Sequence, residues 1–171
     1  ILYISLAVSR YILYCFIFCT GLSFAQSGSR QELARIKAES IYNFVNYIEW
    51  PNMDQVKEFR IGLLGADQDM INALNNMAAT KLVMQLPMKI MPFGEFSDLK
   101  KLPQTEILYV NAANYKNFDL SKVKKNVLVI SYNEPDIYRS MISFMVVDNK
   151  LKFAFNSYLT KKAGFYIHED F

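Results

Sequence analysis

Along residues 31–49 (QELARIKAESIYNFVNYIE) apolar side chains recur every three or four positions, with Ile41, Phe44, Val45 and Ile48 on one face and Ala34 and Ala38 extending it. That spacing predicts an amphipathic helix. Trp50-Pro51 is expected to end it, because a residue before proline is pushed out of the α region. The pattern then changes. FRIGLLG (59–65) is a short apolar run closing on glycine and predicts a strand, and Asp67 is placed to cap a helix reaching about Met77. MQLPMKIMPF (84–93) predicts a weaker strand, because Pro87 and Pro92 favour a sheet edge. A short helix is expected near 94–100, then TEILYVN (105–111) as a strand and FDLSKVKK (118–125) as a short helix or turn.

NVLVISY (126–132) is apolar without alternation, as in a strand covered on both faces, and so points to a parallel sheet. MISFMVVD (141–148) and KLKFAFN (150–156) behave differently. Lys150 and Lys152 alternate with Leu151, Phe153 and Phe155 beside Asp148-Asn149, which predicts an antiparallel hairpin with one wet face. Asn156 is placed to cap a final helix over 157–163, with Gly164 as its left-handed stop and Phe165 folding back. Strands alternating with helices and closed by a hairpin predict an α/β fold: a three-layer sandwich with a mostly parallel central sheet, an antiparallel hairpin and a short C-terminal helix.

Composition has to be divided before it informs. Of the 171 residues, the first 25 include 19 apolar ones, a single Arg and both cysteines, and carry no acid. YILYCFIFC (11–19) behind Arg10, with Ser23 and Ala25 at a small-x-small cleavage position, predicts a secretory signal peptide cut after Ala25. The expected organisation is a signal peptide at 1–25, a linker and the start of the first helix at 26–34, and one domain at 35–171. Export would remove both cysteines and leave a periplasmic domain without a disulfide, thiol nucleophile or integral membrane span. The remainder carries 18 basic and 16 acidic side chains, too even a balance for a nucleic-acid partner.

Reactive chemistry is sparse in that remainder. His168 is the only histidine, the carboxylates are scattered, and Gly62 and Gly65 give G-x-x-G without the further glycine of a dinucleotide site. Ser131 lacks the flanking glycines of a nucleophile elbow. No catalytic residue, metal ligand or cofactor is expected, and the reading is a binding protein, not an enzyme.

Two stretches carry a resemblance. Lys37-Ala38-Glu39-Ser40-Ile41-Tyr42-Asn43-Phe44-Val45-Asn46-Tyr47-Ile48-Glu49-Trp50-Pro51 resembles the K-A-x-x-[IL]-Y-N-F-x-x-[FY]-[IV]-x-W-P opening of the YfiR-like periplasmic proteins. Met141-Ile142-Ser143-Phe144, Leu151-Lys152-Phe153-Ala154-Phe155-Asn156 and Ala163-Gly164-Phe165-Tyr166-Ile167 are similar to that family's closing sequence, so the likeness spans residues 35–168. It implies an α/β domain that dimerises and acts by binding. The family's best-understood role is repression of a membrane diguanylate cyclase through its periplasmic sensor domain, which lowers cyclic di-GMP; other members belong with membrane histidine kinases. Two positions depart from the pattern: Thr105-Glu106 stands where the family often has Cys-His, and Ser140 where a glycine usually precedes Met-Ile.

The expected function is therefore that of an exported, homodimeric regulator of a membrane-bound signalling enzyme. Aromatic enrichment around the first helix makes Tyr42, Asn43, Tyr47 and Trp50 the candidate partner-binding residues, although aromatics near a helix are more often core and the residues by themselves favour Asn43 tying the helix to a neighbouring loop over contact with a partner. The alternative is a periplasmic small-ligand receptor, with a pocket beyond the carboxyl ends of the parallel strands near Gly65, Asp67, Asn111 and Ser131.

Overall fold

A computed structural model describes residues 28–51, 53–93, 99–113, 118–134, 136 and 138–168. The leader expected at 1–25 and most of the helix expected at 94–100 lie outside the described residues. Helix α1 occupies 28–44 and passes through a 3₁₀ turn at Val45–Tyr47 into a two-residue strand, β1 (Ile48–Glu49). The helix thus stops before the predicted Trp50-Pro51 corner. Ile48 and Glu49 pair instead with β9 (Tyr166–Ile167) near the other end of the chain, a contact that local periodicity could not reveal.

The main sheet has seven strands: β2 (Phe59–Leu64), β3 (Leu82–Val83), β4 (Leu86–Phe93), β5 (Ile107–Asn111), β6 (Leu128–Tyr132), β7 (Ile142–Val147) and β8 (Lys150–Phe155). They lie in the order β3-β4-β2-β5-β6-β7-β8, with β4, β2, β5, β6 and β7 parallel and the two outermost strands antiparallel. The predicted weak strand at 84–93 is β4, and only the two residues of β3 lie outside it, so its prolines sit close to an edge as expected. Asp148 and Asn149 both take positive φ, 52° and 58°, the backbone twist that closes a two-residue hairpin between β7 and β8.

Local chemistry sets the helix ends. The Asp67 carboxylate accepts the Met70 N–H at 2.9 Å and starts α2 (Gln68–Ala78). The Asn156 side chain does the same for Leu159 at the start of α3 (Ser157–Lys162). Gly164, at φ 91°, lets the chain reverse so that Gly164 N–H reaches the Lys161 carbonyl and Phe165 N–H the Thr160 carbonyl.

Alternation along the strands divides the core between two faces. Phe59, Ile61, Leu63, Ile107, Tyr109, Leu128, Ile130, Ile142 and Phe144 pack with α1 and α2 on one side. Leu64, Leu108, Val110 and Val129 face the other, covered by Leu99, Leu102, Phe118 and Val127. That third layer is built from 3₁₀ turns at Leu99–Lys101 and Leu120–Lys122. Phe153 points toward the α1 face as the alternation predicts and meets Phe44 edge-on at 5.0 Å, but on the outermost strand it keeps 48% of its surface exposed.

Candidate functional site

The end of α1 and the start of the β1–β9 ribbon bring two of the four candidate partner residues to the exposed surface. Asn43 is exposed and Tyr47 is 38% exposed, one helical turn apart, with Ile36 two turns before Asn43 also at 38%. Among the described residues Asn43 makes no side-chain hydrogen bond to a loop, contrary to the tie expected of it. That tie belongs to the half-buried Tyr42, whose hydroxyl donates to the Leu82 carbonyl at 3.2 Å while the Lys81 ammonium sits 4.5 Å from its ring centroid. Beside Tyr47, the His168 N–H extends the ribbon to the Tyr47 carbonyl, and the His168 ring meets Tyr166 edge-on at 5.7 Å and Glu49 at 3.3 Å. Tyr166 is 59% exposed, so the ribbon continues the aromatic surface begun by Tyr47.

Trp50 lies apart from that surface. It is 7% exposed, packs edge-on against Phe59 at 5.4 Å and Phe165 at 5.7 Å, and donates its indole N–H to the Glu106 carbonyl. Its place is the corner joining α1, β2, β5 and the C-terminal segment. Glu106 is also buried, and its carboxylate accepts the backbone N–H, Nε and Nη2 of Arg60 at 2.6, 3.2 and 2.7 Å. Glu106 is thus one of the two residues, Thr105-Glu106, at which the sequence resemblance breaks, and here it serves an ion pair with Arg60.

The strand-end crevice is arranged differently from its prediction. The sheet order reverses at β2, whose carboxyl end lies beside that of β5, and Gly65 turns away from β2 at φ 61°. Asp67 and Asn111 are near those ends, yet each serves its own backbone: Asp67 caps α2, and the Asn111 side chain accepts the Ala113 N–H at 3.3 Å. Ser131 belongs to the opposite face. It pairs with Val110 on the far side of the sheet, and its hydroxyl lies 2.8 Å from that of Ser140 and 3.0 Å from that of Ser143, so the four predicted residues do not line one pocket. Ser140, the second position at which the sequence resemblance breaks, completes this buried hydroxyl cluster.

The crevice instead holds a group that sequence reasoning passed over. Lys37 is 2% exposed, donates its ammonium to the Tyr109 hydroxyl at 3.3 Å and lies 3.9 Å from the Tyr132 ring centroid. Burial holds its pKa below the usual lysine range, against the pull of Asp67 and Asp69. Tyr109, 1% exposed, is shifted upward by burial and then by the charge of Asp67. The signal was present in the sequence: Lys37 falls three residues after Ala34 and four before Ile41, on the apolar stripe itself.

Among the described residues every buried side-chain nitrogen or oxygen has a hydrogen-bond partner. Arg60 with Glu106, Lys37 with Tyr109, the three serines, and Glu134 with Arg139 at 3.2 Å satisfy one another. Among those same residues no group of His, Cys, Asp and Glu is placed to hold a metal ion, and no helix is long and apolar enough to cross a membrane. These buried ionisable groups thus tie parts of the fold together, while the surface at the end of α1 presents the amide of Asn43 and the rings of Tyr47 and Tyr166. A family model described as YfiR/HmsC-like matches residues 34–170. No curated protein matches the chain.

Proposed function

The chain belongs to the YfiR/HmsC-like family, and from that membership we propose that it is an exported, non-catalytic regulator that represses a membrane diguanylate cyclase through the enzyme's periplasmic sensor domain. The observation that carries this reading is the family match across nearly the whole described chain. The internal pairing of the buried polar groups supports it, since such groups hold shape and leave recognition to the surface. We assign partner contact to Asn43 and Tyr47 with the neighbouring Tyr166, and give Trp50 the task of fixing the corner from which Tyr47 projects.

Repression by binding needs only a difference in affinity. A protein that prefers the inactive sensor shifts the enzyme's equilibrium by that difference. Moving a population from 99% active to 99% inactive takes a preference of about 10⁴-fold, or roughly 5.5 kcal/mol. A surface of a few exposed aromatics around a packed corner is of the kind that concentrates binding energy in Tyr and Trp anchors. Deleting the gene is expected to raise cyclic di-GMP, measured by mass spectrometry of cell extracts, and restoring it should reverse the rise. Unchanged cyclic di-GMP after deletion would refute the assignment to a cyclase, and an altered kinase phosphorylation state in the same cells would move it to a histidine kinase.

A further inference from the structure

Away from the α1 surface, a groove of about 420 Å³ opens between α3 and the segment running from Asp119 to Val127. Its volume falls within the roughly 300–1,000 Å³ of small-molecule sites. The lining is chemically divided. Among the described residues Leu120, Val123, Val127, Met141 and Leu159 contribute an apolar floor, while Lys124, Lys125, Lys162 and Arg139 bring four cations against one carboxylate, Asp119.

These charges are not equivalent. Lys124 donates to the Leu102 carbonyl, and Arg139 reaches both Glu134 and the Phe118 carbonyl, so both serve the fold. Asp119 turns to the Ser121 N–H and hydroxyl and lies 3.6 Å from Lys122. Lys125 and Lys162 are exposed, and Lys162 stands 5.7 Å from the ring centroid of the exposed Tyr158. What remains toward solvent is a positive rim above an apolar floor. A small inorganic anion would leave that floor wet, and a neutral apolar molecule would draw nothing from the charges of Lys125 and Lys162.

We propose that this groove binds a single-chain amphiphilic carboxylate, its hydrocarbon chain on the floor of Leu120, Val123 and Leu159 and its carboxylate at the rim lined by Lys125 and Lys162. Long lysine side chains suit this task, because their stems cover apolar surface while their charges stay in water. The site is separate from the strand-end crevice and from the α1 surface, and it holds whether or not the partner is a cyclase.

Titration calorimetry of the purified protein with decanoate, below its micelle-forming concentration, tests it. Saturable one-to-one binding of decanoate is expected, without binding of acetate or decyltrimethylammonium. The double substitution Lys125→Gln/Lys162→Gln should weaken decanoate at least tenfold while moving the urea midpoint little, because both side chains are exposed. The proposal is overturned by absence of decanoate binding or by equal binding of decyltrimethylammonium, which would mean adsorption of hydrocarbon alone. It is equally overturned if removal of the two charges leaves affinity unchanged, or if the protein associates with phosphatidylglycerol vesicles but not with decanoate, which would make the groove a membrane-facing surface.

Discussion

Removing the Arg60 side chain should cost more than removing the charge of its partner, although both changes break the same ion pair. The Glu106 side chain is 5% exposed and Arg60 27%. In Arg60→Met the carboxylate keeps only the backbone N–H at 2.6 Å and stays buried without a counter-charge. Breaking a buried pair in this way costs about 3–5 kcal/mol. In Glu106→Gln the side-chain oxygen can still accept that N–H and the guanidinium can turn toward water, so the loss is nearer the ~1.5–3 kcal/mol of a hydrogen bond to a charged group. The double variant should lose less than the sum, because neither charge is then stranded. Urea unfolding followed by tryptophan fluorescence is the assay, since Trp50 is the only tryptophan and its indole N–H is bonded to the Glu106 carbonyl. With a slope of about 1–3 kcal/mol per molar urea, Arg60→Met should lower the midpoint by at least roughly 1 M. Equal losses in the two single variants, or strict additivity in the double, would refute the reasoning.

Three further expectations concern the interior. Lys37→Met leaves the Tyr109 hydroxyl without its bonded donor and Tyr109→Phe leaves the ammonium without its acceptor, so each should destabilise by about 1–3 kcal/mol; the double variant should recover part of that in a thermodynamic cycle, and a zero coupling energy would dissolve the pair. Because burial depresses the Lys37 pKa, the folded state releases its proton first and the unfolded chain binds more protons between that value and about 10.4. The burial cost is therefore fully present at neutral pH, and stability contributed by Lys37 should rise with pH through the window; wild-type and Met side chains at 37, compared in a Tyr109→Phe background from pH 7 to 10, should show that slope, and a falling one would contradict it. A methyl at Gly62 would sit 2.6 Å from the Phe93 ring and 3.1 Å from Leu108 and Thr105, so Gly62→Ala should cost about 1–3 kcal/mol by thermal melting, with a gain in stability as the refuting result.

Where the chain's local chemistry decides the conformation, the sequence was readable. Asp67 and Asn156 cap helices, Gly164 ends one, and Asp148-Asn149 closes the hairpin, because each acts on backbone within a few residues of itself. The continuous apolar runs at 105–111 and 126–132 likewise became neighbouring parallel strands. What escaped depends on distant partners. Helix α1 stops early because β1 finds β9, Glu106 is buried because Arg60 lies 46 residues before it, and Ser131 faces away from Asn111 because strand alternation separates them. For the candidate surface, the aromatic opening motif was visible, but its division into a buried Trp50 and an exposed Tyr47 follows from the fold around Phe59 and Phe165.

The regulatory account meets its most direct test in the cyclic di-GMP level of the deletion strain carrying either the wild-type gene or the Asn43→Arg/Tyr47→Glu variant, with both proteins at equal abundance and with equal melting temperatures. The account predicts that the wild type lowers cyclic di-GMP and the variant leaves it at the level of the deletion. Equal lowering by both would contradict it.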